Sequence, residues 1–416
     1  MYSHQTEPIV VLGGGVIGLS IAWELAEAGR QVTLLERNHV GFGASSGNAG
    51  LIVPSYTLPL GGLDAIGEGI RAVFGGSKTL CLGRLTDWKK ITWLARFVAA
   101  GRMRDRLRVA SDINAVAQLS LRRYREIMGV DEGSFCDLTN CGWLDIFETP
   151  SSLGKALTEV RKLESLGNRW EHLSPNEVYD RVPGLDVPVS GGILHTDDWV
   201  VSPDRVIGAF YDKAIRAGVT VLEHTEVTRV TTKGRRVCEL GGNFGVVPVG
   251  HWIIAAGWES GTWLHRMGAS QSLMPGRGYS ITLMSDRAAP KHALNFVERH
   301  VVVSVQGTRV RVTGGMDLDP GTPATDAFRL ADIRTTGQHL LPQLGWEESV
   351  DWAGSRPMTP DGRPLIGPLT GWDNVTIATG HGMLGMTLAA GTAALVRQLF
   401  ENGGRPPAQM RPFLPG

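Results

Sequence analysis

Short apolar runs separated by turn residues dominate the first forty positions of the chain. The run Ile9–Leu12 is uniformly apolar and rich in β-branched side chains, which is typical of a strand buried on both faces. Residues 16–28 have the length and apolar character of a helix, and Gly29 is the kind of residue that commonly follows a helix end. Residues 31–36 form a second apolar run that ends at a carboxylate. The pattern predicts a βαβ unit.

Three glycines occupy the strand-to-helix turn of this predicted unit. Gly13 permits the tight turn, Gly15 lets a pyrophosphate approach the backbone, and Gly18 lets the helix lie close to the strand. The amides of the helix N-terminus would face the phosphate charge. Glu36 ends the second strand, where its carboxylate can accept hydrogen bonds from both ribose hydroxyls and disfavours a 2′-phosphate. The spacing predicts FAD or NAD rather than NADP.

Later segments distinguish between these two cofactors. The loop RNHVGFGASSGNAGLIVP is either an ordinary polar loop or one that holds a ribityl chain and a phosphate through Ser45, Ser46 and Asn48. Residues 251–260 read as a buried strand that runs into small residues, at the sheet edge where ligands collect. These two segments are compatible with FAD and leave NAD as the alternative.

The last apolar segment, ATGHGMLGMTLAAGTAALVRQLF, predicts a long helix preceded by glycines. Four leucines recur at helical spacing and mark its buried face: Leu384, Leu388, Leu395 and Leu399. Reduced flavin carries negative charge near N1 and the C2 carbonyl, and a glycine-exposed helix N-terminus would stabilise that charge. An NAD enzyme needs no such second element, so the sequence favours FAD.

Two further segments show recognisable periodicity. Residues 300–306 and 308–320 alternate as in an antiparallel sheet. Residues 85–128 are helical, with Asp87 and Ser111 as candidate N-caps. One face of the first helix carries four apolar side chains: Trp88, Ile91, Ala95 and Val98.

Basic and aromatic residues interleave in the segment DWKKITWLARFVAAGRMRDR of this helical region. The residues concerned are Trp88, Trp93, Phe97, Lys89, Lys90, Arg96, Arg102 and Arg104. Such a segment either rests on an anionic membrane surface or is a packed helix with a solvated basic side.

Composition narrows the functional classes. The 416 residues suggest two domains, and the balance of 41 basic against 41 acidic residues gives no field that would attract nucleic acid. The four cysteines form neither a zinc pattern nor a disulfide framework, so we expect a reducing, cytoplasmic compartment and no metal. No uninterrupted apolar run reaches the roughly 18 residues that span a bilayer, and we expect a soluble protein.

Several blocks together resemble the FAD-dependent D-amino-acid oxidase superfamily. They are the N-terminal fingerprint, SGNAG, LSPNEVYDRVPGL, IIAAGWES, PGRGYS and WAGSRPMTPDGRPLIGP followed by TGHGMLGMT, spread from residue 9 to about residue 392. Within it the chain is most similar to the small subunit of bacterial D-amino-acid dehydrogenase, and more distantly to glycine oxidase and sarcosine oxidase.

The resemblance implies an α/β fold in which a Rossmann-type FAD-binding domain is interleaved with an α+β substrate domain built on an antiparallel sheet. The FAD-binding domain would comprise residues 1–60, 200–275 and 350–416, and the substrate domain residues 61–199 and 276–349. The sheet would roof the flavin.

The resemblance also implies roles for individual residues. Arg356 corresponds to the arginine that holds the substrate carboxylate in glycine oxidase and its relatives; the alternative is a structural arginine bonded to carbonyls or to Asp361. His381 either lines the flavin pocket or caps backbone groups, and Tyr279 either borders the active site or packs in the sheet. The residues expected to contact FAD are Gly13, Gly15, Val16, Ile17, Gly18, Glu36, Arg37, Ser45, Ser46, Asn48, Ala49, Gly50, Val227, Ala256, Gly257, Gly382, Met383, Leu384, Gly385 and Met386.

The implied reaction is oxidation of a D-amino acid, or of a related amine acid such as a proline derivative, by hydride transfer to flavin N5. The product imine would hydrolyse to a 2-oxo acid. We expect noncovalent FAD, because relatives that bind flavin covalently use a His or Cys and the loop around Ser45 and Ser46 offers neither at the corresponding place. We expect a quinone or other carrier as electron acceptor. The alternatives are an oxygen-using glycine or sarcosine oxidase and a non-catalytic, flavin-binding regulatory protein. The basic and aromatic segment of residues 87–106 is compatible with peripheral contact with the inner membrane, and the sequence leaves the oligomeric state open.

Overall fold

A computed structural model of the chain describes residues 7–59, 80–81, 88–129, 136–284, 289–318 and 322–415. The described helices are α1 (Val16–Glu27), α2 (Trp88–Ala100), α3 (Met103–Met128), α4 (Pro150–Lys162), α5 (Pro175–Arg181), α6 (Pro203–Arg216), α7 (Ser260–Arg266), α8 (Pro323–Leu340) and α9 (Gly385–Glu401). The described strands are β1 (Ile9–Leu12), β2 (Val32–Leu35), β3 (Leu51–Ile52), β4 (Leu80–Cys81), β5 (Trp143–Phe147), β6 (Trp170–Leu173), β7 (Gly191–His195), β8 (Trp199–Val200), β9 (Thr220–Leu222), β10 (Val227–Lys233), β11 (Arg236–Gly242), β12 (Gly245–Pro248), β13 (His251–Ile254), β14 (Met274–Met284), β15 (Ala293–Phe296), β16 (Val301–Gln306), β17 (Arg309–Asp317), β18 (Ser349–Met358), β19 (Leu365–Pro368) and β20 (Val375–Thr379).

The first sheet has the strand order β19-β20-β13-β1-β2-β9 among the described strands. Its strands run parallel except β19, which is antiparallel to β20. The predicted βαβ unit is confirmed: β1, α1 and β2 follow one another, and β1 lies at the centre between β2 and β13. The strands of this sheet come from three separated stretches of the chain. The carboxyl ends of its five parallel strands meet at one edge, which is where open α/β sheets bind ligands.

The second sheet joins β18-β14-β17-β16-β15-β5-β7-β6 side by side, with β4 beside β17. The predicted antiparallel pair is confirmed as β16 and β17, whose register pairs Val303 with Val312. The longest ladder joins β14 to β18 over ten residue pairs. The sheet is mixed rather than purely antiparallel, because β15 pairs with β5 in parallel. The α/β fold class with a large second sheet is therefore confirmed.

Two apolar cores lie on different sides of these sheets. The larger core joins the first sheet to α1, α3, α6 and α9, and the second fills the space between the second sheet and α8. The predicted buried face of α9 is confirmed at Leu388, Leu395 and Leu399, whereas Leu384 lies just before the helix and is half-buried. The segment Gly382–Glu401 is apolar and long enough to cross a membrane by composition, yet most of it is buried inside this fold.

The helical region after residue 85 differs from its sequence interpretation. Ser111 is not an N-cap: it lies in the third turn of α3, which begins at Met103. Asp87 lies outside the described residues. The apolar face of α2 exists but is exposed, with 76% of Trp88 and 41% of Ile91 accessible to solvent. Packing uses the opposite face of α2, where Trp93 is buried.

Candidate functional site

The glycine-rich turn between β1 and α1 is closed so tightly that two of its glycines have no substitute. Gly13 has φ +108°, and a Cβ there would lie 2.5 Å from the carbonyl oxygen of Ala255. A Cβ on Gly18 would lie 1.9 Å from the carbonyl oxygen of Gly13. The turn thus brings the N-terminus of α1 against the end of β13, as a nucleotide-binding βαβ unit requires.

The carboxylate of Glu36 is turned back towards this glycine-rich loop. Its Oε2 accepts a hydrogen bond from the Gly14 amide at 2.7 Å, and its Oε1 accepts one from the Asn38 amide at 2.8 Å. Each oxygen keeps a second lone pair for a ligand hydroxyl. Glu36 is therefore held at the place where the sequence predicts a ribose.

The loop after β2 closes over the start of α1. The hydroxyl oxygen of Ser45 accepts a hydrogen bond from the Val16 amide at 3.0 Å. The side chain of Asn48 donates to the Ser45 carbonyl and accepts from the Gly50 amide at 2.6 Å. These hydrogen bonds fix the loop against the start of α1. An ordinary polar surface loop, the alternative that the sequence left open, would not need them.

One cavity of about 570 Å³ begins at this loop and extends to β18 and the start of α9. The sequence-predicted residues that line it are Gly13, Gly15, Val16, Ile17, Glu36, Arg37, Ser45, Asn48, Val227, Ala256, Gly257, Arg356, His381, Gly382, Met383, Gly385 and Met386. Six predicted residues lie outside its lining: Gly18, Ser46, Ala49, Gly50, Leu384 and Tyr279. The structure therefore brings the fingerprint and the proposed carboxylate-binding arginine into one site.

Arg356 lies in this cavity without a partner from the described part of the chain. No hydrogen bond or ion pair of its guanidinium with another described residue is found, and Asp361, the structural alternative, is bonded to Arg363 instead. Burial lowers the pKa of Arg356 to about 10, opposed by the nearby Tyr56 and Tyr279. The side chain stays charged at neutral pH, and a half-buried charge that lacks a counter-charge among the described residues is unfavourable unless a ligand supplies one.

Strand pairing places Arg356 over a glycine. Gly276 is the β14 partner of Arg356, and Gly278 is the partner of Gly354. A Cβ on Gly278 would lie 2.2 Å from the guanidinium carbon of Arg356. The missing side chain therefore leaves the space in which the guanidinium lies.

Tyr279 points to the other face of the sheet. It belongs to the core against α8, is fully buried, and donates a hydrogen bond from its hydroxyl to Asp317 Oδ2 at 2.8 Å. Asp317 also accepts hydrogen bonds from Arg329. Tyr279 is therefore packed in the sheet and does not border the cavity, which is the second of the two alternatives that the sequence left open.

His381 lines the cavity but is occupied by a structural contact. Its Nε2 lies 3.0 Å from the hydroxyl oxygen of Thr392 in α9. Burial lowers the pKa of His381 to about 3, so the ring is neutral at physiological pH. A neutral, bonded imidazole at this position shapes the loop before α9 and carries no positive charge towards a ligand.

Trp352 and Tyr56 are site residues that the sequence interpretation missed. Trp352 lines the main cavity and lies so close to Gly47 that a Cβ on that glycine would be 1.9 Å from the indole. Tyr56 lines a smaller cavity of about 50 Å³ on the other side of His381–Met383. Burial raises the pKa of Tyr56 to about 12, Asp145 acts in the same direction, and Arg356 opposes it. Trp352 opens the sequence block that contains Arg356 and Tyr56 lies outside the family-like blocks, but the sequence assigned neither residue a role, because both reach the site through long-range packing.

A buried carboxyl group supports the segment that carries Tyr56. Asp198 accepts hydrogen bonds from the amide of Ser55, at 3.2 Å, and from its hydroxyl. Burial raises the pKa of Asp198 to about 7, while His195 and the Ser55 hydrogen bonds act against that shift. Tyr56 in turn packs against Trp143, with ring centroids 5.8 Å apart. Asp198 and Trp143 thus hold Tyr56 in place near Arg356.

The residues of the cavity fit FAD. The glycine turn and the Glu36 carboxylate suit an adenosine diphosphate, and Ser45, Asn48 and β18 extend the same cavity well beyond it. A volume of about 570 Å³ is within the range of natural ligand pockets. An oxidised flavin would lie against the second sheet, where Trp352 and Arg356 reach the cavity.

Side chains of the types that bind metals meet at one surface position in the described chain. His39, Glu223 and His224 bring ligand atoms within 4.8 Å of one another, and all three residues are exposed. The Glu223 carboxylate already accepts the Val40 amide at 2.6 Å. This group lies outside the cavity lining, so it takes no part in the site described here.

Comparison with known proteins agrees with this geometry. Residues 8–399 match the family described as FAD dependent oxidoreductase. D-amino acid dehydrogenase 2 of Pseudomonas aeruginosa is 30% identical over 97% of this chain and 97% of its own length. D-amino acid dehydrogenase of Vibrio vulnificus (strain CMCP6) is 29% identical over 94% of this chain and 95% of its own length. Both relatives extend over nearly the whole chain.

A solved structure shares the whole fold. Glycine oxidase from Geobacillus kaustophilus superposes with a TM-score of 0.74 at 22% identity, covering 99% of each chain. At this identity the likeness concerns the architecture alone. It shows that the overall fold of this chain recurs in another protein.

Proposed function

Because this chain belongs to the family of FAD-dependent oxidoreductases, we propose that it oxidises a D-amino acid, or a related small amine acid, to the imine that yields a 2-oxo acid. Relatives at 29% and 30% identity that carry the name D-amino acid dehydrogenase support the substrate class. Every amino-acid substrate carries a carboxylate, whatever its side chain.

The observation that carries the proposal is Arg356. It is a charged guanidinium inside the cofactor cavity, it has no anionic partner in the described chain, and Gly278 leaves the room it needs. A guanidinium fork pairs with a carboxylate through two parallel hydrogen bonds, which fixes orientation as well as affinity. A substrate carboxylate would supply the counter-charge that the described residues do not provide.

Orientation by Arg356 is the contribution that we assign to the protein in the chemical step. FAD, when bound, supplies the hydride acceptor. Holding the carboxylate fixes where the α C–H bond points, which is an effect of positioning. His381 is neutral and bonded to Thr392, so it is not assigned the role of a charged acid. The amine must be neutral when the hydride leaves, because its lone pair supplies the electrons of the new C=N bond.

We also propose that the electrons pass to a quinone or another carrier rather than to oxygen. The names of the relatives support a dehydrogenase, and the loop from His381 to Met386 is of the type found in that branch. The experiment compares turnover with an artificial dye or a soluble quinone against turnover with oxygen, using 2-oxo acid formation as the readout. Faster turnover with the dye supports a dehydrogenase, and stoichiometric peroxide formed at the dye-coupled rate contradicts it.

The surface of α2 supports contact with an anionic membrane. Its exposed apolar side chains, Trp88, Ile91 and Val98, are accompanied by basic residues, and residues 88–104 contain no acidic residue. An apolar face bordered by cations is typical of helices that lie in the membrane interface. Co-sedimentation with vesicles that contain anionic lipid, and none with neutral vesicles, is expected. Trp88→Ser should reduce it, and equal sedimentation of both proteins would contradict the assignment.

A further inference from the structure

Arg311 is a second arginine, besides Arg356, on the face of the second sheet that looks towards the cavity. It lies on β17, paired with Thr282 of β14 and with Ser304 of β16, and is 6% exposed. Side chains alternate along a strand, so Arg311 faces away from Val310 and Val312, which belong to the core against α8. Trp352 and Arg356 project from β18 on the same face as Arg311.

The guanidinium of Arg311 is held by neutral acceptors only. Its Nη1 donates to the carbonyl oxygens of Ser46 and Asn48, at 2.7 Å each, and its Nε donates to the hydroxyl oxygen of Thr282 at 3.1 Å. No ion pair joins Arg311 to a carboxylate within the described residues. Asp204 acts on it only through space, and its carboxylate accepts hydrogen bonds from Arg309.

The loop held by Arg311 is a wall of the cofactor cavity. Ser45 and Asn48 line the cavity, and Trp352 covers Gly47 from the cavity side of the sheet. Two further sheet side chains hold the same loop: Ser304 and Gln306 donate to the Ala49 carbonyl at 2.7 Å and 2.9 Å. The backbone of residues 45–49 therefore lies between Arg311 and the cavity.

A positive charge in this position acts on the two redox states of the cofactor unequally. Two-electron reduction with uptake of one proton, which is the transfer of a hydride, adds one negative charge to the flavin. A buried cation interacts more strongly with that charge than an exposed one, because the protein interior screens less than water. We propose that Arg311 stabilises bound reduced FAD over bound oxidised FAD and so raises the reduction potential of the flavin.

This role differs from that of a residue that only fixes the loop. A loop support changes the affinity for both redox states together, whereas a charge changes their ratio. The inference rests on bound FAD and is independent of the amino-acid substrate, because the flavin is reduced chemically in the test. A failure of the amino-acid assignment would leave it intact.

The experiment measures the flavin midpoint potential, and the dissociation constants of oxidised and dithionite-reduced FAD, in four variants. Arg311→Gln keeps a donor but removes the charge, and Arg311→Lys keeps the charge but loses the fork. Ser304→Ala removes a loop hydrogen bond without touching any charge. Arg309→Gln is the matched control, since Arg309 lies on the same strand but is paired with Asp204 at the surface.

We expect Arg311→Gln to lower the equilibrium constant for reduction at least tenfold, about 30 mV for a two-electron couple. Arg311→Lys, Ser304→Ala and Arg309→Gln should stay near the wild-type potential, even where FAD binds more weakly. If the glutamine variant binds oxidised and reduced FAD with equally weakened affinity, Arg311 only supports the loop and the inference is wrong. An equal fall in potential for Arg311→Lys would also contradict it. Where Arg311→Gln does not fold, Arg311→Met is judged by the same two dissociation constants.

Discussion

The guanidinium of Arg356 lies directly over Gly278, where a Cβ would come within 2.2 Å of its central carbon. We therefore expect Gly278→Ala to displace Arg356 from the cavity while leaving the nucleotide end of the site intact. Amino-acid oxidation should fall at least tenfold, and the flavin spectrum should persist.

The measurement is the rate of flavin reduction by substrate, together with FAD content. Gly208→Ala is the matched control, since a Cβ on that glycine of α6 meets nothing within 4 Å. Unchanged rates of flavin reduction in Gly278→Ala would contradict the prediction that Arg356 acts from its position over Gly278.

Arg356 itself is the most sensitive position for substrate binding. Removing one member of a buried, hydrogen-bonded charge pair costs about 2–5 kcal/mol, so Arg356→Ala should lower kcat/KM between roughly thirtyfold and several thousandfold. Arg356→Lys should recover only part of the loss, because an ammonium lacks the planar fork. Steady-state kinetics of both variants test this, and normal kinetics in the alanine variant would assign Arg356 to structure.

Glu36 should matter for FAD and not for the substrate. A hydrogen bond to a charged group contributes on the order of 1.5–3 kcal/mol, so Glu36→Ala should raise the FAD dissociation constant by roughly tenfold to a hundredfold. Titration of the apoprotein with FAD measures this, with Glu239→Ala on an exposed strand as the control. Equal FAD affinity in the two variants would remove Glu36 from the ribose site.

His381 makes stability depend on pH in a defined window. Its pKa is lowered to about 3 in the fold by burial, against an ordinary value of 6.5, so the unfolded chain binds more protons between those values. The contribution to stability is present above about pH 6.5 and is lost as the pH falls towards 3, by about 1.4 kcal/mol per pH unit.

Asp198 acts in the opposite direction, because its pKa is raised to about 7 and its stabilisation is lost as the pH rises from 3.8 to 7. The comparison that isolates His381 is therefore wild type against His381→Gln, by urea unfolding of the apoprotein at pH 7 and pH 5. The wild type should lose more stability than the variant over this interval. Parallel losses would mean that His381 is not neutral in the fold.

The nucleotide half of the site was predictable from the sequence because its parts are contiguous. Strand, turn, helix and second strand follow one another within 28 residues, so periodicity and the glycine spacing locate Gly13, Gly18 and Glu36. The same periodicities predicted the βαβ unit, whereas the full fold class was what the family resemblance implied. The domain boundaries at residues 60, 200, 275 and 350 stay a prediction.

The substrate half was predictable only where the resemblance marked a residue. Trp352 and Gly278 belong to strands about 70 residues apart, and their meeting depends on the β14–β18 register. A position at the site was one of the two alternatives that the sequence left open for Tyr279. Neighbouring residues of a strand point to opposite faces of the sheet, and it is Gly278, not Tyr279, that faces Arg356. The sequence carries no signal for Arg311, because its partners are two backbone carbonyls and the hydroxyl of Thr282, which come together only in the folded chain.

The central claim is that Arg356 binds the carboxylate of a D-amino acid in front of the flavin. The most direct measurement is anaerobic flavin bleaching by a panel of D- and L-amino acids, glycine, sarcosine and proline derivatives, in the wild type and in Arg356→Ala. The account predicts rapid bleaching by at least one D-amino acid in the wild type, and bleaching at least thirtyfold slower in the variant with its flavin spectrum unchanged. Bleaching by none of these compounds, or equal rates in the two proteins, would contradict it.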